Sequence, residues 1–428
     1  MRRHRMPAAA AVLAAVAVQA LSGGGTAHAA PPPGACSDPE PARPPVRAQP
    51  WAQQSLAPQR VWPYSKGSGV LVAVVDSGVD ADHPQLSRPG KVHAGRDFHL
   101  ASSLPGAFDC VSHGTGVAGI IAADPVPGVG FYGVAPDAEI LPVRISDRDF
   151  DAQGGSLRID PQVVANGIRY ATDQGAKVIN LSLAGHDDFA VIRDAVAYAV
   201  SRDALVVAAA GNAQRESTAE LPSYPAAYDG VLGVGAIDID GARMSGSQIG
   251  RYVDIVAPGA KVLAPTRVGG HVYADGTSYA APFVSGTAAL VRSAWPRLTA
   301  PEVARRLMAT ANPARGGVRS QAFGAGVVDP YRAVTDSMDT EPPGALPAFV
   351  PVPPDREQLS RAAAREDDAT AAKWLTVAVA GAIVLAVLVA VLRPRGRRHG
   401  WRPGRAAVPA AEPAVVEPPE QIFLLSGE

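Results

Sequence analysis

Four short apolar runs, none of them alternating with polar residues, constrain this chain's fold more than any other feature. They are Val70-Leu71-Val72-Ala73-Val74-Val75, Ile140-Leu141-Pro142-Val143, Val178-Ile179-Asn180-Leu181 and Leu205-Val206-Val207-Ala208. A strand with one wet face alternates, whereas a strand apolar at nearly every position is buried on both faces. Helical stretches near 161–174 and 188–202 separate the last three runs. Such alternation predicts an α/β fold, a parallel sheet with helices on both faces. Thr299-Ala300-Pro301-Glu302 has the form of a capping box and opens a further helix through about 311.

The folded region covers only part of the 428 residues. Met1-Arg2-Arg3-His4-Arg5 leads into an apolar run over 8–21 and then into Ala27-His28-Ala29. Basic start, apolar middle and small-residue end make a secretory signal, cut after Ala29. A second apolar stretch, 374–392, carries no charged residue. At 1.5 Å per residue it reaches ~28 Å, the thickness of a hydrocarbon core. Arg393, Arg395, Arg397, Arg398, Arg402 and Arg405 follow it. The positive-inside rule therefore predicts a cytoplasmic tail and an exported remainder. The expected divisions are a signal peptide at 1–29, a Pro-rich arm at 30–58 and a folded domain at 59–335. A Pro-rich stalk at 336–373, a transmembrane helix at 374–392 and a tail at 393–428 complete them.

Formal net charge is −1 and no basic stripe crosses the central region, which argues against a nucleic-acid partner. The two cysteines, Cys36 and Cys110, both fall on the exported side, where an even pair reads as a disulfide. Two cysteines do not make a structural zinc site, and no metal or cofactor is expected.

Three residues carry chemistry. Asp76 ends the first apolar run, His113 lies in Ser112-His113-Gly114-Thr115-Gly116, and Ser278 lies in Gly276-Thr277-Ser278-Tyr279-Ala280-Ala281-Pro282. Singly they read as a turn former, a surface cap and an N-cap. Together they supply what nucleophilic catalysis needs. A serine hydroxyl is weak until an imidazole takes its proton, and a carboxylate fixes the imidazole's tautomer. A helix start at Ser278 adds backbone N–H groups beside a developing oxyanion.

In the chain order Asp, His, Ser these segments resemble the subtilisin-like serine proteases. The resemblance runs over about 61–334 and includes Gly133-Val134-Ala135-Pro136, Asn180-Leu181-Ser182-Leu183 and Val256-Ala257-Pro258-Gly259. It implies endopeptidase activity with Asp76, His113 and Ser278 as the triad. Asn212, in Ala208-Ala209-Ala210-Gly211-Asn212, would donate to the oxyanion with the Ser278 N–H. Ser182, Leu183 and Ala184 would pair with an extended polypeptide substrate, and Ala209, Ala210 and Gly211 would line the primary specificity pocket.

Two departures stand out. The loop Asp124-Pro125-Val126-Pro127-Gly128-Val129-Gly130 is poor in oxygen ligands for calcium, and 30–62 is too short for a folded inhibitory propeptide. The layout of signal, arm, protease, stalk and single span resembles the mycosins, as does Pro50-Trp51-Ala52-Gln53 with Leu56 and Val61-Trp62. That likeness implies an arm wrapped on the domain and pinned by Cys36–Cys110. It also implies partnership with a type VII secretion membrane complex, through processing of a secreted substrate. A cell-surface subtilisin with no link to secretion, and a mainly structural subunit of the complex, are the alternatives.

Overall fold

The uninterrupted apolar runs form strands covered on both sides. The computed structural model describes residues 31–36, 39–100, 102–147, 159–215, 220–315, 320–338 and 356–398. The expected signal peptide, the proline-dense part of the stalk at 341–355 and the tail beyond 398 lie outside these. The chain divides into two units, Met1–Thr340 and Glu341–Glu428.

Along the first unit come α1 (Trp51–Leu56), β1 (Leu71–Asp76), β2 (Arg96–Asp97), α2 (His113–Ala122), β3 (Glu139–Arg144), α3 (Pro161–Asp173) and β4 (Val178–Leu181). Then follow α4 (Ala190–Ser201), β5 (Leu205–Ala209), β6 (Val231–Ile237), β7 (Ile255–Pro258), β8 (Val262–Pro265) and β9 (His271–Ala274). Helices α5 (Thr277–Ala294), α6 (Ala300–Ala309) and α7 (Pro330–Thr335) close the unit. Seven strands make one sheet in the order β2-β3-β1-β4-β5-β6-β7, every pair parallel.

Alternation along each strand splits two cores. Val72 and Val74 join the core built with α2 and α5, while Ala73 and Val75 join the one built with α3 and α4. Helix α5 runs through the first core, and its residues from Thr277 to Arg292 are all buried. A helix apolar nearly all round belongs in such a position. The capping box is present on α6, where the Thr299 N–H donates to Glu302 Oε2 at 2.7 Å.

Strand β1 is where the strand order reverses, with β3 on one flank and β4 on the other. In open α/β sheets, binding sites collect at carboxyl ends beside such a reversal. Asp76 is the last residue of β1, and β4 and β5 end toward the same edge.

The arm is more structured than its composition predicts. Pro50 opens α1, which buries Ala52, Gln53 and Leu56. Further upstream, Arg43 N–H donates to the Gly269 carbonyl at 3.0 Å and His271 N–H to the Pro44 carbonyl at 3.3 Å. The arm thus lies along the β8–β9 hairpin like an added strand. Trp51 Nε1–H reaches the Ala260 carbonyl at 3.1 Å, and Trp62 Nε1–H the Val134 carbonyl at 3.1 Å. The Cys36–Cys110 disulfide ties the arm's start to the approach to α2.

In the second unit, α8 (Arg356–Arg398) is one helix of 43 residues. Its 27-residue portion Ala372–Arg398 is long and apolar enough to cross a membrane. The charged half of the expected stalk, 356–373, is helical and continuous with it.

Candidate active site

Strand β1 delivers Asp76 to the sheet edge, and α2 starts there with His113. His113 Nδ1–H donates to Asp76 Oδ1 at 2.6 Å, with both side chains buried. Ser77 N–H donates to the same oxygen at 2.7 Å. The close approach depends on Gly114, where an added Cβ would sit 2.1 Å from the Gly78 carbonyl oxygen and 3.2 Å from Asp76 Oδ1. Arg144 is Asp76's register partner on β3, yet its buried guanidinium pairs with Asp97 at 3.1 Å.

A buried carboxylate absent from the sequence-based site supports this corner. Asp109 accepts from Ser77 Oγ at 3.0 Å, Val111 N at 3.0 Å, Thr115 N at 2.9 Å and Thr115 Oγ at 2.7 Å. Ser77 Oγ in turn accepts from Gly114 N at 2.9 Å. Asp109 and the Ser77 hydroxyl, rather than the side chain of Ser112, thus take the Thr115 and Gly114 N–H groups of the first turn of α2. Burial pushes its carboxyl above the ordinary range against these hydrogen bonds, and the charge of Asp76 pushes the same way.

Ser278 lies in the first turn of α5, where N–H groups have no intrahelical acceptor. The N–H of Thr277 donates to Asn212 Oδ1 at 2.9 Å and its hydroxyl to the same oxygen at 3.0 Å. Two donors on Oδ1 fix the amide's orientation and assign Nδ2 as its donating end. The Thr277 hydroxyl also accepts from Gly211 N at 3.0 Å, so one side chain locks Asn212 to the loop before it. Gly211 has φ +95°, and a Cβ there would meet Gln248 Oε1 at 2.3 Å. Only glycine suits both demands.

Strand β4 approaches Ser278 from below. Ser182 Oγ donates to the Ser278 carbonyl at 2.7 Å and accepts from Asn180 Nδ2 at 2.8 Å, while Asn180 Oδ1 accepts from Ser285 Oγ at 2.7 Å. Ser182 and Ser285 are fully buried. Leu183 is half-buried and Ala184 exposed. Ala209 and Ala210 point into opposite cores, and Gly211 is buried.

The imidazole of His113 meets the ring of Tyr279, next after Ser278, at 5.3 Å between centroids. The fold therefore gathers Asp76, His113, Ser278, Asn212 and Ser182 at one end of β1, β4 and β5. Among the described residues no group of three His, Cys, Asp or Glu side chains could hold a metal. In the loop after α2, Asp124 Oδ1 takes the buried ammonium of Lys91 at 2.8 Å, and Oδ2 takes Arg88 at 3.1 Å.

Residues 67–326 match the Subtilase family. Thermitase of Thermoactinomyces vulgaris is 41% identical over 241 residues, 56% of this chain and 81% of that protein. Mycosin-3 of Mycobacterium tuberculosis is 35% identical over 398 residues, 79% of this chain and 81% of that protein. The crystal structure of MycP1 from Mycobacterium smegmatis aligns with TM-score 0.60 at 31% identity, covering 74% of this chain and 93% of that one. Sheet order, sequence and solved structures agree: the chain belongs to the subtilase family, as a mycosin-like serine endopeptidase of the subtilisin type.

Proposed function

We propose that Ser278 is the nucleophile, His113 the general base and then acid, and Asp76 the orienting carboxylate of a membrane-anchored, extracytoplasmic endopeptidase. The observation that carries the reading is the 2.6 Å bond from His113 Nδ1–H to Asp76, because that tautomer makes Nε2 the basic nitrogen. Nε2 takes the Ser278 proton as Oγ attacks the scissile carbonyl carbon. The resulting oxyanion receives hydrogen bonds from Asn212 Nδ2–H and the Ser278 N–H. Collapse breaks the C–N bond, and His113 passes its proton to the departing amine. Water then cleaves the Ser278 ester with His113 as base again, releasing the acid. Asp76 stays ionised and stabilises the imidazolium.

The substrate is an extended polypeptide running along the backbone of 182–184 and 209–211. The exported side holds the protease domain at 59–335, after removal of 1–29. The stalk at 336–373 leads to the span at 374–392, and 393–428 is cytoplasmic. A MycP1 crystal structure is described as that of an essential component of the type VII (ESX-1) secretion system. By that relationship this protein serves such a system, processing a secreted substrate and supporting the membrane complex. The chemical reading is tested with a fluorophosphonate probe, which should label Ser278 alone. Ser278→Ala should abolish labelling and His113→Ala should nearly do so, and labelling that survives Ser278→Ala overturns the assignment.

A further inference from the structure

Beside the catalytic residues lies a hollow of about 320 Å³. Ser112, the residue before His113, and Tyr279, the residue after Ser278, form its inner wall. Val272 and Tyr273 of β9 form an apolar outer wall, both exposed. Glu40 from the arm and Asp275 from the turn before α5 complete it. None of 182–184 or 209–211, the segments read as holding the acyl part of a substrate, lines this hollow. It is therefore separate from the acyl-side segments, and its contacts with Asp275 and Tyr279, which flank Ser278 in the chain, leave it free to take the departing amine and the residue bearing it.

The charge of this hollow is one-sided. It has two carboxylates and no Lys, Arg or His in its lining. Among the described residues neither carboxylate forms an ion pair. Asp275 Oδ1 accepts only the backbone N–H of Lys261, at 2.7 Å. Arg267, beside Glu40, spends its guanidinium on carbonyls, those of Glu40 at 2.7 Å and Asp109 at 2.8 Å. Glu40 is held in place, since its N–H donates to the Cys110 carbonyl at 3.2 Å, four residues beyond Cys36. Apolar and aromatic walls ending in carboxylates fit a long side chain with a cationic head, stem against rings and charge toward the acids.

Resting on the triad reading above, we propose that this hollow selects a Lys or Arg side chain on the residue that follows the scissile bond. Glu40 and Asp275 are its specificity-determining residues. The arm is thus a wall of the leaving-group subsite as well as a strap.

Acyl transfer tests the subsite directly. The full chain in detergent is acylated by a p-nitrophenyl ester, and the acyl-enzyme partitions between water and an added amine. In aminolysis the acceptor nitrogen bonds to the carbonyl carbon and the bond to Ser278 Oγ breaks. The acceptor's proton passes through His113 to that oxygen. Argininamide is compared with citrullinamide, its neutral isostere. The aminolysis-to-hydrolysis ratio is independent of how fast the acyl-enzyme forms.

At low salt, argininamide should win by about fivefold, the upper range for a partly exposed charge pair. The advantage should shrink as salt rises and vanish in the Glu40→Gln/Asp275→Asn double variant. Equal partition of the two amides in the wild type overturns the inference without reference to any variant. So does an arginine advantage that survives the double variant. Failure to form an acyl-enzyme at all overturns the triad reading, and this subsite with it.

Discussion

Pro282 has no N–H, so the carbonyl four residues before it in α5, that of Ser278, lacks its helical donor. Ser182 Oγ supplies one at 2.7 Å and is itself held by Asn180 and Ser285. Ser182→Ala should therefore strand a buried carbonyl, at a cost of about 1–3 kcal/mol, and loosen the turn that holds Ser278. We expect a lower Tm and a several-fold slower fluorophosphonate inactivation. Adding Pro282→Ala should recover part of both, because residue 282 regains an N–H for the Ser278 carbonyl. Unchanged Tm and inactivation rate in Ser182→Ala would show that the relay does not position Ser278. At this scale the sequence singles out residues that stand in glycine-flanked segments, namely Asp76, His113, Ser278 and Asn212, which the fold brings to one end of the sheet. It conceals Ser77, Asp109 and Thr115. Their link is a web of hydrogen bonds spanning 32 residues between Ser77 and Asp109, and such a web leaves no period or spacing in the chain.

Among the elements, the arm shows most clearly where sequence pattern stops being informative. Strands β1, β3, β4 and β5 are legible because each is apolar on both faces, but β6 is interrupted by Gly233 and Gly235, β7 has only four residues, and β2 and β9 are partly exposed. Helix α1 has six residues, too few for a helical period to emerge, and its identity comes from burial of Ala52 and Leu56 against the domain. Once docked, the arm is fastened independently at several points: the hairpin contacts of Arg43 and Pro44, the indoles of Trp51 and Trp62, and the disulfide. The disulfide closes a separation of 74 residues. By chain-entropy reasoning such a loop is worth roughly 4 kcal/mol. Reduction, or Cys36→Ser with Cys110→Ser, should therefore lower Tm markedly while ester hydrolysis falls much less, since the other fastenings persist. Removing 31–49 should likewise destabilise the protein without accelerating it. A truncated chain that stays folded and hydrolyses peptides much faster would make the arm an inhibitor instead of a clamp.

For the whole molecule, the expected topology rests on composition, because a bilayer asks only for length, apolarity and flanking arginines. A protease added outside spheroplasts should release the catalytic unit by cutting within 341–368, and a reporter after Glu428 should behave as cytoplasmic. An export-dependent reporter active there would reverse the orientation. The stability of the first unit on acidification depends on groups that no motif marks. His83 and His271 are buried together, 6.2 Å between ring centroids, where the arm crosses the β8–β9 hairpin. His271 Nδ1 accepts the Val46 N–H at 3.3 Å and its Nε2–H donates to Gln85 Oε1 at 2.8 Å, so the neutral ring is fully bonded and a second proton would break the arm contact. Burial, and then the neighbouring His83, pull His271 down from 6.5 to about 4. Burial also lowers His83, partly opposed by its bond to the Gly270 carbonyl and by Asp80. Between pH 6.5 and 4 the unfolded chain binds the protons that these rings refuse, so stability falls as pH falls. Asp254 acts in the opposite direction. Burial raises its carboxyl to about 6 despite the Gly233 N–H bond, so the folded state holds the extra proton and this contribution is lost as pH rises from about 4 to 6. Asp109, raised by burial, sides with Asp254, whereas Asp203 and Glu302, whose carboxyls sit below their usual value, side with the two histidines, so Tm should drop on acidification through this window. His271→Gln should flatten that slope and Asp254→Asn should steepen it. Thermal melts from pH 7 to 4 separate these effects, and a wild-type Tm that rises toward pH 4 would mean that the buried histidines do not control the profile.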